Sequence, residues 1–127
     1  MKFQLGSSLK IVAWLALIAI AIVTVVPIEM RPTTSLSPNR ERFIVMAIVG
    51  GLFALAYPKR FWIVLVALFA AAAVLEPLQF LAAGRHPSTY DAIIKCAGAS
   101  AGVVSGYLII RAAELIGPRK TGLKAKK

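Results

Sequence analysis

The 127-residue chain is short of almost every side chain that carries chemistry. It has one cysteine, Cys96, so neither an internal disulfide nor a Cys-x-x-Cys pair exists for zinc or redox work. Its one histidine, His86, together with that lone thiol excludes a zinc site assembled from several imidazole or thiolate ligands in one chain. No nucleophile motif or cofactor-binding loop accompanies them, so no metal and no cofactor are expected, and enzyme activity has little to rest on. Only 16% of the residues are charged, against about a quarter in soluble globular domains. Acids are the scarcest charges, five Asp and Glu against fifteen Lys and Arg. Apolar side chains fill the gap, at 59% with a mean hydropathy of +0.80. A small domain has too much surface to cover with so few polar groups, which argues against a water-soluble fold.

The apolar residues come in four runs. Residues 11–28 hold no charge between Lys10 and Glu29, and at about 1.5 Å per residue they cover about 27 Å, close to a hydrocarbon core of about 30 Å. The run exceeds the usual apolar region of a signal peptide, and Val25-Val26-Pro27 lacks a small-x-small cleavage pattern, so an uncleaved helix is expected. A second helix is expected over residues 42–57, with Tyr57 at the far interface. The third covers residues 61–83 and runs on past Glu76-Pro77, and the fourth covers 91–110, with Lys95 about one turn inside. The sequence thus predicts an all-α integral membrane bundle of four transmembrane helices, one domain over residues 1–127 with a basic tail at 117–127.

Charge asymmetry orients the bundle. Ten Lys and Arg flank one side, in the N-terminal flank, at Lys59-Arg60 and in the tail, against five at Arg31, Arg40, Arg42, Arg85 and Lys95. By the positive-inside rule both termini are cytoplasmic. A short basic tail at a helix end is a topology determinant and a surface for anionic inner-leaflet lipid, so no nucleic-acid partner is expected.

Candidate functional residues concentrate between Glu76 and Gly106. Glu76 and Gln79 share a helix face, as do Asp91 and Lys95, and both faces fall in the outer part of the expected membrane. Charge inside a span costs on the order of 3 kcal/mol per residue, so these groups should turn toward one another or toward a wet cavity. Glu76, Asp91, Arg85 and Lys95 sum to zero, as a mutually compensating cluster would. Two readings stay open. The cluster ties helices three and four together, or it lines an outward-facing site in which Arg85, His86, Arg40 and Arg42 receive an anionic headgroup and Glu76 or Asp91 serves as a base. Gly98, Gly102 and Gly106, spaced by four, give a smooth stripe for close helix packing, with residues 70–73 as the expected partner and a homo-oligomer left open. Trp14, Phe61, Trp62 and Tyr107 are expected as interface anchors.

Glu76-Pro77-Leu78-Gln79, then Gly84-Arg85-His86, Asp91, and Lys95 with Gly98 and Gly102, resemble the VanZ-like family, as does Arg42-Phe43 with Gly50-Gly51 further along. The resemblance covers about residues 24–110. Lys95 departs from it, standing where the family usually has Asn. The resemblance implies a small multi-pass protein of the bacterial cytoplasmic membrane, linked through the family's namesake to low-level resistance to the glycopeptide teicoplanin. It marks Glu76, Gln79, Arg85, Asp91 and Lys95 as the site set and a cell-envelope component, an anionic lipid or lipid-linked glycan precursor, as the partner. A membrane scaffold without ligand and a small four-helix transporter are the alternatives; the transporter lacks an acid in the middle of its first helix.

Overall fold

Apolar runs of this length must satisfy their backbone polar groups internally, and the helix is the local way to do it. The computed structural model describes residues 2–26, 29, 35–81 and 89–117. These residues form four α-helices, α1 (Lys2–Val25), α2 (Pro38–Ala56), α3 (Phe61–Leu78) and α4 (Thr89–Ile116), with a short 3₁₀ turn (Gln79–Leu81) after α3. Among the described residues there is no strand. The expected Arg85, His86 and residues 118–127 of the tail lie outside the described residues.

The helix ends have local causes. Ser37 enters α2 in extended conformation, Pro38 sits in the first turn where its missing N–H costs nothing, and Glu41 lies near the positive end of the helix dipole. Pro77 ends α3 earlier than residue 83: it removes one helical hydrogen bond, α3 stops at Leu78, and the chain tightens into the 3₁₀ turn. Other ends lie beyond the uncharged runs. α1 begins at Lys2 rather than residue 11, and α4 runs from Thr89 through Arg111 to Ile116 rather than over 91–110. Charged residues end an apolar run but not a helix, because their backbones keep the same hydrogen bonds.

Among the described residues three helical stretches are long and apolar enough to cross a membrane: Gly6–Val25, Phe61–Leu81 and Thr89–Ile116. Their outward faces are apolar, with Ile11, Leu15, Trp62, Val66, Ile93 and Leu108 among the exposed side chains. α2 fails that test because Arg40, Glu41 and Arg42 open it, yet it is the helix the others surround. Side-chain contacts set the order up-down-up-down. Trp14 meets Phe53 and Tyr57, Phe61 meets Tyr107, and Glu76 meets Lys95, so sequential neighbours are antiparallel.

α2 and α4 therefore run parallel, and they form the tightest pair. A Cβ placed on Gly98 would strike the Phe43 carbonyl oxygen, one on Gly102 the Ala47 carbonyl oxygen, and one on Gly106 the Ala54 Cβ at 2.7 Å. Gly50 answers from α2, where a Cβ would lie 2.5 Å from the Ala99 carbonyl oxygen. The glycine stripe thus packs on α2 within the chain, not on residues 70–73 of α3 as expected. The reason is reciprocal: α2 offers glycines of its own, which lets the two backbones touch, whereas alanines would hold them apart. Met46, Val49, Phe53, Leu68 and Val103 fill the core around this seam.

Candidate functional site

The seam brings α2 and α4 close enough for charge to pair across it. Arg42 Nη1 donates to Asp91 Oδ1 at 2.6 Å, and the same nitrogen reaches Asn39 Oδ1 at 3.4 Å. One turn further into the bundle, Lys95 Nζ donates to Glu76 Oε2 at 3.3 Å, and Gln79 Nε2 lies 3.5 Å from that oxygen. Gln79, Asp91 and Lys95 are at most 8% exposed. The two ion pairs link helices, Arg42–Asp91 joining α2 to α4 and Lys95–Glu76 joining α4 to α3. Asp91 and Lys95 share a face of α4, as expected, but each bonds to another helix rather than to the other. The close approach of α2 supplies a guanidinium that fits a carboxylate better than an ammonium does.

Of the expected cluster, the structure brings together Glu76, Gln79, Asp91 and Lys95 and adds Arg42, expected only as a headgroup contact, which pairs with Asp91. Arg40 stays exposed on the first turn of α2 and takes no part. Among the described residues no three His, Cys, Asp or Glu side chains come together as a metal site would require.

Beside the ion pairs lies a cavity of about 250 Å³. Ala19, Ile20, Val23 and Thr24 of α1 form one wall, and Val45 and Met46 of α2 face them. Its polar end is made by Glu41, Arg42, Gln79 and Lys95. Pro77 contributes indirectly, because the 3₁₀ turn it induces carries Gln79 inward. The volume is a little below the about 300–1,000 Å³ of pockets that enclose whole small molecules, so it suits a headgroup or the end of a chain. Thr24 and Glu41 were not singled out by the sequence. Thr24 gave a faint signal as a hydroxyl inside an apolar run; its Oγ1 donates back to the Ile20 carbonyl at 2.7 Å, which makes it tolerable there.

No protein-family model, no curated protein and no solved structure matches the chain.

Proposed function

We propose that the chain is a four-span helical membrane protein that binds an anionic amphiphile of the cell envelope, a lipid or lipid-linked glycan precursor, in the pocket between α1 and α2. The observation that carries this reading is the pocket's gradient from an apolar α1 wall to a polar end of Glu41, Arg42, Gln79 and Lys95. An amphiphile has that same gradient. Among the described residues both hydrogen bonds of Arg42 come from Nη1, which leaves Nε and Nη2 as donors for phosphate or carboxylate oxygens.

α2 is the fourth span in this reading. The uncharged stretches between Arg42 and Lys59, Arg60 and Glu76, and Lys95 and Arg111 hold 15 or 16 residues each, about 23 Å of helix, and the bundle aligns them as one band. The ten-to-five division of Lys and Arg puts both termini in the cytoplasm and the pocket toward the outside. The resemblance to the VanZ-like family points to the same envelope setting. A pure scaffold loses its main support, since the glycine stripe that would bind a partner is used within the chain.

The test is native mass spectrometry of the full chain released from its membrane in mild detergent. The protein should carry a bound anionic amphiphile, and Val45→Trp, which fills the apolar arm and leaves every charge in place, should lower its occupancy at least about tenfold. Arg42→Gln should shift the bound species toward uncharged lipid. Equal occupancy in Val45→Trp and the parent, or no bound amphiphile in either, would overturn the reading.

A further inference from the structure

The opposite end of the bundle handles charge in another way. There the turn between α2 and α3, the first residues of α3 and the C-terminal part of α4 from Val104 to Glu114 enclose a groove of about 800 Å³. Lys59, Arg60 and Arg111 line it with a single acid, Glu114. Arg111 is held without being neutralised. Its Nε and Nη2 both donate to the Tyr107 hydroxyl, at 3.0 and 2.7 Å, and the Tyr107 ring is itself braced by Phe61 at 5.4 Å between centroids. Glu114 reaches Arg111 only at 3.8 Å, with both side chains 62% exposed, which is a weak, solvent-screened pair. The deeper wall is apolar, with Ile63, Val104 and Ile110 beside an outward Trp62 that is 72% exposed.

From this arrangement we infer a second lipid site, for the phosphodiester headgroup of an anionic phospholipid, with Lys59, Arg60 and Arg111 on the phosphate and the acyl chains on the apolar wall. Charge complementarity chooses the occupant. Three cations here face one exposed acid, which leaves net positive charge for a ligand. Depth agrees: Arg111 lies sixteen residues beyond Lys95 on α4, about 24 Å along the axis, so the groove opens near the other boundary of a hydrocarbon layer of about 30 Å. Basic clefts between helices at a membrane surface bind anionic headgroups, with about a fivefold gain per well-placed Lys or Arg. The inference rests on the membrane reading but not on what fills the pocket.

The experiment uses the full chain with Trp14→Phe, which leaves Trp62 as the sole tryptophan, in nanodiscs doped with phospholipid brominated on its acyl chains. Quenching of Trp62 by brominated phosphatidylglycerol should exceed that by brominated phosphatidylcholine at least about fivefold in apparent affinity. The double variant Arg60→Gln/Arg111→Gln should bring the ratio near one, while Lys10→Gln, a cation at the same end outside the groove, leaves it unchanged. Both glutamine substitutions are at exposed positions, so a preserved melting profile certifies the fold. Glycerol 3-phosphate in solution should not compete; competition matching that of the lipid would make free phosphate the occupant and overturn the proposal. So would a ratio near one in the parent, or an unchanged ratio in the double variant. Because Trp62 reports only its own end, this result can fail while the pocket still holds its amphiphile, and the reverse.

Discussion

α1 and α4 are both long apolar helices, but they are held by different means. A third of the apolar window of α4 is buried against 11% of that of α1. α4 meets α2 backbone to backbone along the glycines and adds two partly buried ion pairs, one to α2 and one to α3. α1 is fastened chiefly along its middle, where Ala13 enters the core, Trp14 packs edge-on against Phe53 at 5.3 Å and donates from Nε1 to the Tyr57 hydroxyl at 3.1 Å, and Lys10 sits 5.2 Å from the Tyr57 ring. Its C-terminal part is the wall of the pocket. The pocket therefore lies between a fixed floor and a looser wall, and the width available to a ligand is set by the weaker of the two contacts.

The comparison breaks most severely at the seam. Gly102→Leu puts a Cβ onto the Ala47 carbonyl and within 2.8 Å of the Gly51 nitrogen. Neither neighbour is a flexible side-chain tip, so one helix must move away from the other. The expected loss is about 3 kcal/mol or more, at the top of the overpacking range, measured as the shift in a dodecylsulfate unfolding titration of the detergent-solubilised protein. A shift below about 1 kcal/mol would mean that α2 and α4 are not packed through glycine. Because Arg42 and Asp91 meet only while the seam is closed, the same variant should also lose the pocket's bound amphiphile.

The ion pair comes next. Arg42→Ala leaves Asp91 with a buried, unbalanced carboxylate, for which about 3–5 kcal/mol is typical. The pair is not fully enclosed, with 22% and 12% of the side chains exposed, so the lower end, about 3 kcal/mol, is expected by the same titration. Arg42→Met with Asp91→Leu removes both charges and should recover most of the loss. If the double variant is as unstable as the single one, the site depends on the guanidinium itself and not on charge balance.

Much of this architecture was legible in the sequence because the cost of charge in an apolar layer is set residue by residue. Lys10, Lys59, Arg60 and Arg111 mark one edge of the uncharged stretches, while Arg42, Glu76 and Lys95 mark the other, and no tertiary knowledge is needed to find them. Partnership was not legible. The spacing of Gly98, Gly102 and Gly106 announces a close approach without naming the helix that approaches, and Gly50 and Gly51 sit in a run whose opening charges hide its centrality. Asp91 and Lys95 at a four-residue interval suggest a pair on one helix. Only the seam reveals that Arg42, from the far side of the sequence, takes the carboxylate. Helix ends were missed where the helix leaves the apolar layer, as at Arg111, because hydropathy senses the layer and not the backbone.

The smallest expected effect separates α1 from the seam by its sign. Gly6 lies in α1 with nothing within 4 Å of an added Cβ, unlike Gly50, Gly98, Gly102 and Gly106, each of which meets an atom closer than 3 Å. A helix-interior glycine without a packing duty costs about 0.5–1 kcal/mol relative to alanine, so Gly6→Ala should stabilise by up to that amount while the same change at Gly102 destabilises. The gain should be confined to α1: amide hydrogen exchange should slow in residues 6–12 and stay unchanged in α2 and α4. If Gly6→Ala destabilises instead, α1 has a close neighbour at that end and is no looser than α4. If exchange slows throughout the bundle, α1 is cooperatively part of the core, and the pocket's two walls are equally firm.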